Sequence, residues 1–122
     1  MVQHELRPGI EGRVERVVDD SLTTRHVGGK GLFATPAMIG LMEMTCHNSV
    51  APYLPPEATT VGYEVHVRHL APTEPGNSVV VTTKLREVDG RKLLFDVRCH
   101  EGDSLVGEGI HRRAVVAARG LR

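Results

Sequence analysis

One stretch of the chain limits its fold more than any other. From Thr35 to Val50 it reads Thr-Pro-Ala-Met-Ile-Gly-Leu-Met-Glu-Met-Thr-Cys-His-Asn-Ser-Val, and Glu43 is the only Asp, Glu, Lys or Arg between Lys30 and Glu57. Thr35 suits an N-cap, because its hydroxyl can accept an orphan amide, and Pro36 suits the first helical position. The helix should run to about Val50 or Ala51, where Pro52, Pro55 and Pro56 stop it. Ile39, Met42, Cys46 and Val50 lie at helical spacing, and Ala37, Leu41 and Met44 widen the apolar surface around the cylinder. A helix this apolar is expected to be buried on most sides, so the rest of the chain must wrap it.

The flanking sequence changes period. Gly9 to Val18 carries Ile10, Val14, Val17 and Val18 among charges, which reads as a first strand with one wet face. Arg25 to Gly31 is glycine-rich and breaks regular structure. After the prolines, Val61, Tyr63, Val65 and Val67 alternate with Gly62, Glu64, His66 and Arg68, and this strand ends near His69 before Pro72 and Pro75. Ser78 to Val88 and Arg91 to His100 flank Asp89-Gly90, a strong hairpin signal. Glu101-Gly-Asp103 then turns into Ser104 to Val116. The order is strand, long helix and at least four strands expected as an antiparallel meander. A helix and a sheet of this kind satisfy each other if the sheet curves around the helix. That is an α+β hot-dog fold, a long central helix wrapped by a curved antiparallel β-sheet. A lone subunit would leave sheet edges open, so a homodimer is the smallest assembly expected, with association of two dimers left open.

Composition narrows the function. With 122 residues the chain has the length of one domain, spanning 1–122. Lys plus Arg and Asp plus Glu each number 15, which argues against a nucleic-acid binder that works by neutralising phosphates. With no Trp, two Phe and two Tyr, a base-stacking platform is not expected either. The first residues lack a signal peptide's apolar core, and no run is long enough to span a bilayer, so a cytoplasmic protein without membrane attachment is expected. Cys46 and Cys99 form no disulfide framework and lack zinc-like spacing; both read as reduced, packed thiols.

Three residues stand out chemically. Glu43 in an apolar helix needs a reason, because taking a carboxylate out of water costs several kcal/mol unless it is paired. The reason is either chemistry or an ion pair with Arg113 or His47. His69 closes a strand at the lip of a turn, where it is either a reactive imidazole or a satisfied strand-end side chain. Thr35 lies just over two helical turns from Glu43, on roughly the same side at a different height, and is either a cap or a group that orients substrate or water.

A set of ordered motifs weighs on these alternatives. They are Ala34-Thr35, Gly40-Leu41-Met42-Glu43, Ala51-Pro52-Tyr53-Leu54, His69, Thr73 with Pro75-Gly76, Glu87-Val-Asp-Gly-Arg91 and Gly109-Ile-His111-Arg-Arg113-Ala-Val115. Together they cover roughly residues 10 to 117 and resemble the fluoroacetyl-CoA thioesterase family. The resemblance implies a homodimeric hot-dog enzyme that hydrolyses acyl-CoA thioesters without metal or organic cofactor. It implies a catalytic set matching Thr35, Glu43 and His69, with Gly62 near the thioester carbonyl and Arg113 at the pocket or coenzyme side; His111 reads as mainly structural. Lys30, Arg68, Arg112 and Arg113 are candidates for the coenzyme's phosphates. The chain departs from the family at His26-Val-Gly-Gly-Lys-Gly31, which replaces an aromatic-bearing lid, so selectivity for a fluorinated acyl group is not expected to carry over. A hot-dog acyl-CoA hydratase or dehydratase, or a noncatalytic acyl-CoA binding module, is the alternative.

Overall fold

The computed structural model describes residues 4–119. Strand β1 (Glu11–Val17) leads through a short 3-10 turn to β2 (Thr23–Thr24), the glycine loop, and β3 (Leu32–Phe33). Helix α1 (Thr35–Val50) follows, then β4 (Ala58–His69), β5 (Ser78–Asp89), β6 (Lys92–Glu101) and β7 (Ser104–Ala117). The five long strands form one antiparallel sheet in the order β1-β5-β6-β7-β4, and β2 pairs with β3 as a separate ribbon. This is the expected hot-dog arrangement, with two differences in topology. Only β5, β6 and β7 form a meander, while β4 crosses over to the far edge beside β7. The β2–β3 ribbon was not foreseen, since two-residue strands carry no readable period.

The core lies between the helix and one face of the sheet. Met38, Met42, Cys46 and Val50 recur every fourth residue and are buried, so the stripe begins at Met38 rather than at the expected Ile39. They pack against Val79, Val81 and Leu85 of β5, Leu93, Phe95, Val97 and Cys99 of β6, and Val106 and Val115 of β7. Both cysteines are free and buried, as expected. The helix is less enclosed than its composition suggested. Met44 is 55% exposed and Asn48 is exposed, so one flank stays wet within a single chain.

Glycines set two features that position the site. The β5–β6 hairpin turns through Gly90 and Arg91, with Gly90 at φ 59°, so glycine takes the first loop position rather than the second. At Gly107 a methyl group would lie 2.8 Å from Met38 Cε and 3.0 Å from the Arg68 carbonyl oxygen, so only glycine lets the helix sit this close to the sheet. Gly107 is also the register partner of His69. The first turn of α1 is thereby pressed over the end of β4.

Candidate active site

That contact brings Thr35 to His69. Thr35 is the first residue of the helix, not its cap; Ala34 takes the cap position without a side-chain hydrogen bond, and Pro36 falls one place later than expected. Freed from capping, the Thr35 hydroxyl shares a 2.7 Å hydrogen bond with His69 Nδ1. His69 Nε2 is buried and has no hydrogen-bond partner. Phe33 meets the imidazole edge-on, with ring centroids 5.8 Å apart at 79°. Burial pushes the His69 pKa below its ordinary value, with the Ala71 backbone opposing, so the ring is neutral at pH 7. A neutral imidazole with one nitrogen engaged and the other waiting has the form a general base needs.

The pair borders a cavity of about 310 Å³, widely open to solvent, whose other walls are Thr24, Val27, Leu32, Phe33, Leu70, Ala71 and Pro72. Phe33 is anchored there by its amide, which donates to the Thr73 carbonyl at 3.0 Å, and Ala34 N–H donates to Leu22 O at 2.8 Å. Sequence reading missed Phe33 and this ribbon. The available signal was an aromatic two residues before Thr35.

A second cluster sits farther along the helix. Arg113 is 7% exposed, and its Nε donates to Thr60 Oγ1 at 2.8 Å while Nη2 donates to Thr60 O at 2.9 Å. His111 Nδ1 donates to the Glu64 carbonyl at 2.9 Å, which fixes the tautomer and leaves Nε2 to accept from Arg113 Nη1 at 3.1 Å. Burial, with the Arg113 charge adding, lowers the His111 pKa, while the Glu64 carbonyl and Glu43 oppose; the ring is neutral too. Glu43 Oε2 approaches His111 Nε2 at 3.9 Å. Its side chain is 40% exposed, so the expected withdrawal from water does not occur within one chain. Gly62 lies at a register shift in β4 directly over this cluster: a methyl group there would stand 2.8 Å from His111 Cε1 and 3.0 Å from Arg113 Nη1. The same shift leaves Val61 and Tyr63 of β4 about half exposed instead of inward-facing.

The structure therefore gathers the singled-out residues into two groups. Thr35 and His69 form one; Glu43, Gly62 and Arg113 form the other. Along the helix Thr35 and Glu43 are separated by about 12 Å of rise. Among the described residues Glu43 makes no ion pair with His69. Of the candidate phosphate ligands, Arg113 is enclosed, Arg68 pairs with Glu108 at 3.0 Å and Arg112 with Glu64 at 3.4 Å, while Lys30 stays exposed in the glycine loop. No group of three His, Cys, Asp or Glu side chains able to hold a metal occurs among the described residues, and none of their helices is long and apolar enough to cross a membrane.

Known proteins share this fold. The family described as fluoroacetyl-CoA-specific thioesterase matches residues 11–119. A fluoroacetyl-CoA thioesterase of Streptantibioticus cattleyicolor is 46% identical over 85 residues, 70% of this chain and 61% of that protein, so the chain spans about three fifths of that relative's length. Among solved structures, fluoroacetyl-CoA thioesterase FlK superposes with a TM-score of 0.84 at 38% identity, covering 92% of this chain and 89% of that one. A mutant of that enzyme in complex with fluoroacetate and CoA gives 0.81 at 39%, covering 91% and 95%. A Thermus thermophilus protein described as a thioesterase superfamily member gives 0.85 at 26%, covering 94% and 87%. The chain belongs to the fluoroacetyl-CoA-specific thioesterase family.

Proposed function

We propose that the protein is an acyl-CoA thioesterase, hydrolysing a small acyl-CoA thioester to the free acid and coenzyme A with Thr35, Glu43 and His69. The observation that carries this reading is the Thr35–His69 pair, hydrogen-bonded at 2.7 Å on the wall of an apolar cavity in a chain of this family. Hydrolysis adds water oxygen to the thioester carbonyl carbon, breaks the C–S bond and returns a proton to the leaving thiolate. His69, neutral and with Nε2 unpartnered, is placed to take the water proton, and the Thr35 hydroxyl orients the ring. Glu43 either polarises the water with His69 or attacks the carbonyl itself, giving an anhydride that water then opens.

The two groups of residues meet across a homodimer. Strand β4 is an edge of the sheet, so one side of its backbone has no strand neighbour. The opposite edge, β1, is guarded by exposed Glu11, Arg13 and Glu15, whereas β4 presents Val61 and Tyr63, 48% and 50% exposed. Isologous antiparallel pairing of the middle of β4 with its copy, about an axis through Val65 or His66, brings the end of the strand that carries Gly62 in one subunit beside the end that carries His69 in the other. In one chain these residues are roughly 23 Å apart along the strand. The pairing brings Glu43, Gly62 and the enclosed Arg113 of the partner subunit toward Thr35 and His69. Two free, buried thiols suit a reducing compartment, and we place the protein in the cytoplasm.

Free-thiol release from acyl-CoAs tests the reading. Native protein should turn over at least one, and Glu43→Gln and His69→Ala should each lose most turnover while folding normally. Saturable binding without thiol release, or near-native rates in both variants, refutes it.

A further inference from the structure

We infer that the cavity beside Thr35 and His69 takes an uncharged, apolar acyl chain longer than two carbons, and that Val27 limits how long that chain can be. The inference rests on the thioesterase reading and names its substrate class.

Size is the first argument. A volume of about 310 Å³ is that of roughly ten water molecules. An acetyl or fluoroacetyl group, with three or four non-hydrogen atoms, would cover only a small part of this open groove and leave most of its apolar wall wet. The chemistry of the lining is the second. Its only polar side chains are Thr24, Thr35 and His69, and none carries a charge at neutral pH once His69 is neutral. A carboxylate at the far end of an acyl chain, away from the thioester and the partner's Arg113, would lose its water and find no cation among these walls, at a cost of several kcal/mol.

The mouth is the third. Val27 is 71% exposed and Leu70 is 46% exposed, and both line the cavity. Two large apolar side chains left in water at the rim of an apolar cavity are matched by an apolar ligand that reaches them. Val27 is held in place by backbone. Gly28 N–H donates to Arg25 O at 2.9 Å, Gly28 and Gly29 take φ 84° and 62°, and at Gly31 a methyl group would stand 2.7 Å from Thr24 O. The loop that lacks an aromatic lid thus keeps a small aliphatic one, with room left behind it.

The test is kcat/KM for thiol release from acetyl-, fluoroacetyl-, butanoyl-, hexanoyl-, octanoyl- and succinyl-CoA. Burying each added methylene should raise kcat/KM about fourfold, so hexanoyl-CoA should exceed acetyl-CoA by about two orders of magnitude before the profile levels. Succinyl-CoA, with the same carbon count as butanoyl-CoA, should fall at least about tenfold below it. Val27→Phe should lower the hexanoyl-to-butanoyl ratio by about tenfold, a readout that a purely structural role for Val27 would not move. If fluoroacetyl- or acetyl-CoA is turned over fastest, or chain length makes no difference, this inference falls while the thioesterase reading stands. If no acyl-CoA releases thiol, both fall. The native profile decides the question even if the variant does not fold.

Discussion

Gly62 offers a sharp test of how the second cluster is built. Its φ is not among the positive values, so alanine meets no backbone strain there, and only the methyl group's contacts matter. That methyl would lie 2.8 Å from His111 Cε1, 3.0 Å from Arg113 Nη1 and 3.1 Å from His111 Nε2, against an optimum of about 3.5–4.0 Å between carbons. Neither neighbour is a loose end. His111 is tied to the Glu64 carbonyl, and Arg113 is tied twice to Thr60. Relief requires the pair to move or the bulge to open, at about 1–3 kcal/mol. For a chain of this length that corresponds to a fall in melting temperature of roughly 3–12 °C. Gly40→Ala is the matched control: Gly40 lies inside α1 with nothing within 4 Å of the added carbon, and the change should stabilise by about 0.5–1 kcal/mol. Thermal unfolding followed by circular dichroism reads both. Thiol release by Gly62→Ala should fall at least about tenfold, because displacing His111 and Arg113 disturbs the cluster that holds Glu43. A melting temperature within about 1 °C of native, with unchanged turnover, would refute both the rigidity of the His111–Arg113 pair and the place given to Gly62.

Other outcomes follow from the same geometry. Thr35→Val keeps the side-chain shape but removes the 2.7 Å bond to His69; since Thr35 is exposed, stability should change by less than about 0.5 kcal/mol while kcat falls about 10- to 100-fold. His69 and His111 both have pKa values below the ordinary 6.5, so below that pH the unfolded chain binds protons that the folded chain does not. Stability should therefore be flat above pH 6.5 and decline below it, by up to about 1.4 kcal/mol per pH unit for the enclosed His111, and urea titrations of native protein and His111→Asn should show the variant's slope reduced. The acid limb of kcat/KM should fall below 6.5 for the same reason at His69. Burial pushes the Cys46 thiol up to about 12 and Cys99 up to about 11, so neither should react with a disulfide reagent at pH 8 until the protein unfolds; rapid labelling of native protein would contradict that packing.

What could be read in the sequence was local. The end of α1 at Val50 follows from the prolines behind it, and the turns at Gly90 and Gly102 are marked by glycines that adopt φ 59° and 56°. Strand order is set by pairings between distant residues, and nothing near β4 says that it will lie beside β7 rather than β5. The register shift at Gly62 and Glu64 was equally invisible, because Val61 and Tyr63 alternate in sequence as though both faced the core. At Thr35 two hydrogen-bonding roles competed. Local preference favoured the cap, and Gly107 decided otherwise by letting Met38 settle the helix against the sheet beside His69. Glu43 was conspicuous for lack of neighbouring charge, but its exposure depends on which flank of the helix the sheet leaves open. The family resemblance singled out the candidate residues; only the structure separates them into two groups.

A site shared between two subunits can be rebuilt by mixing two inactive variants. Glu43→Gln and His69→Ala proteins, unfolded together and refolded, should form about half mixed dimers, each with one intact site and one site lacking both groups. Acyl-CoA turnover, mostly lost in either variant alone, should return to about one quarter of the native rate. No recovery, with mixed dimers demonstrated by mass, would mean that Glu43 and His69 act within one chain and that no site is shared between subunits.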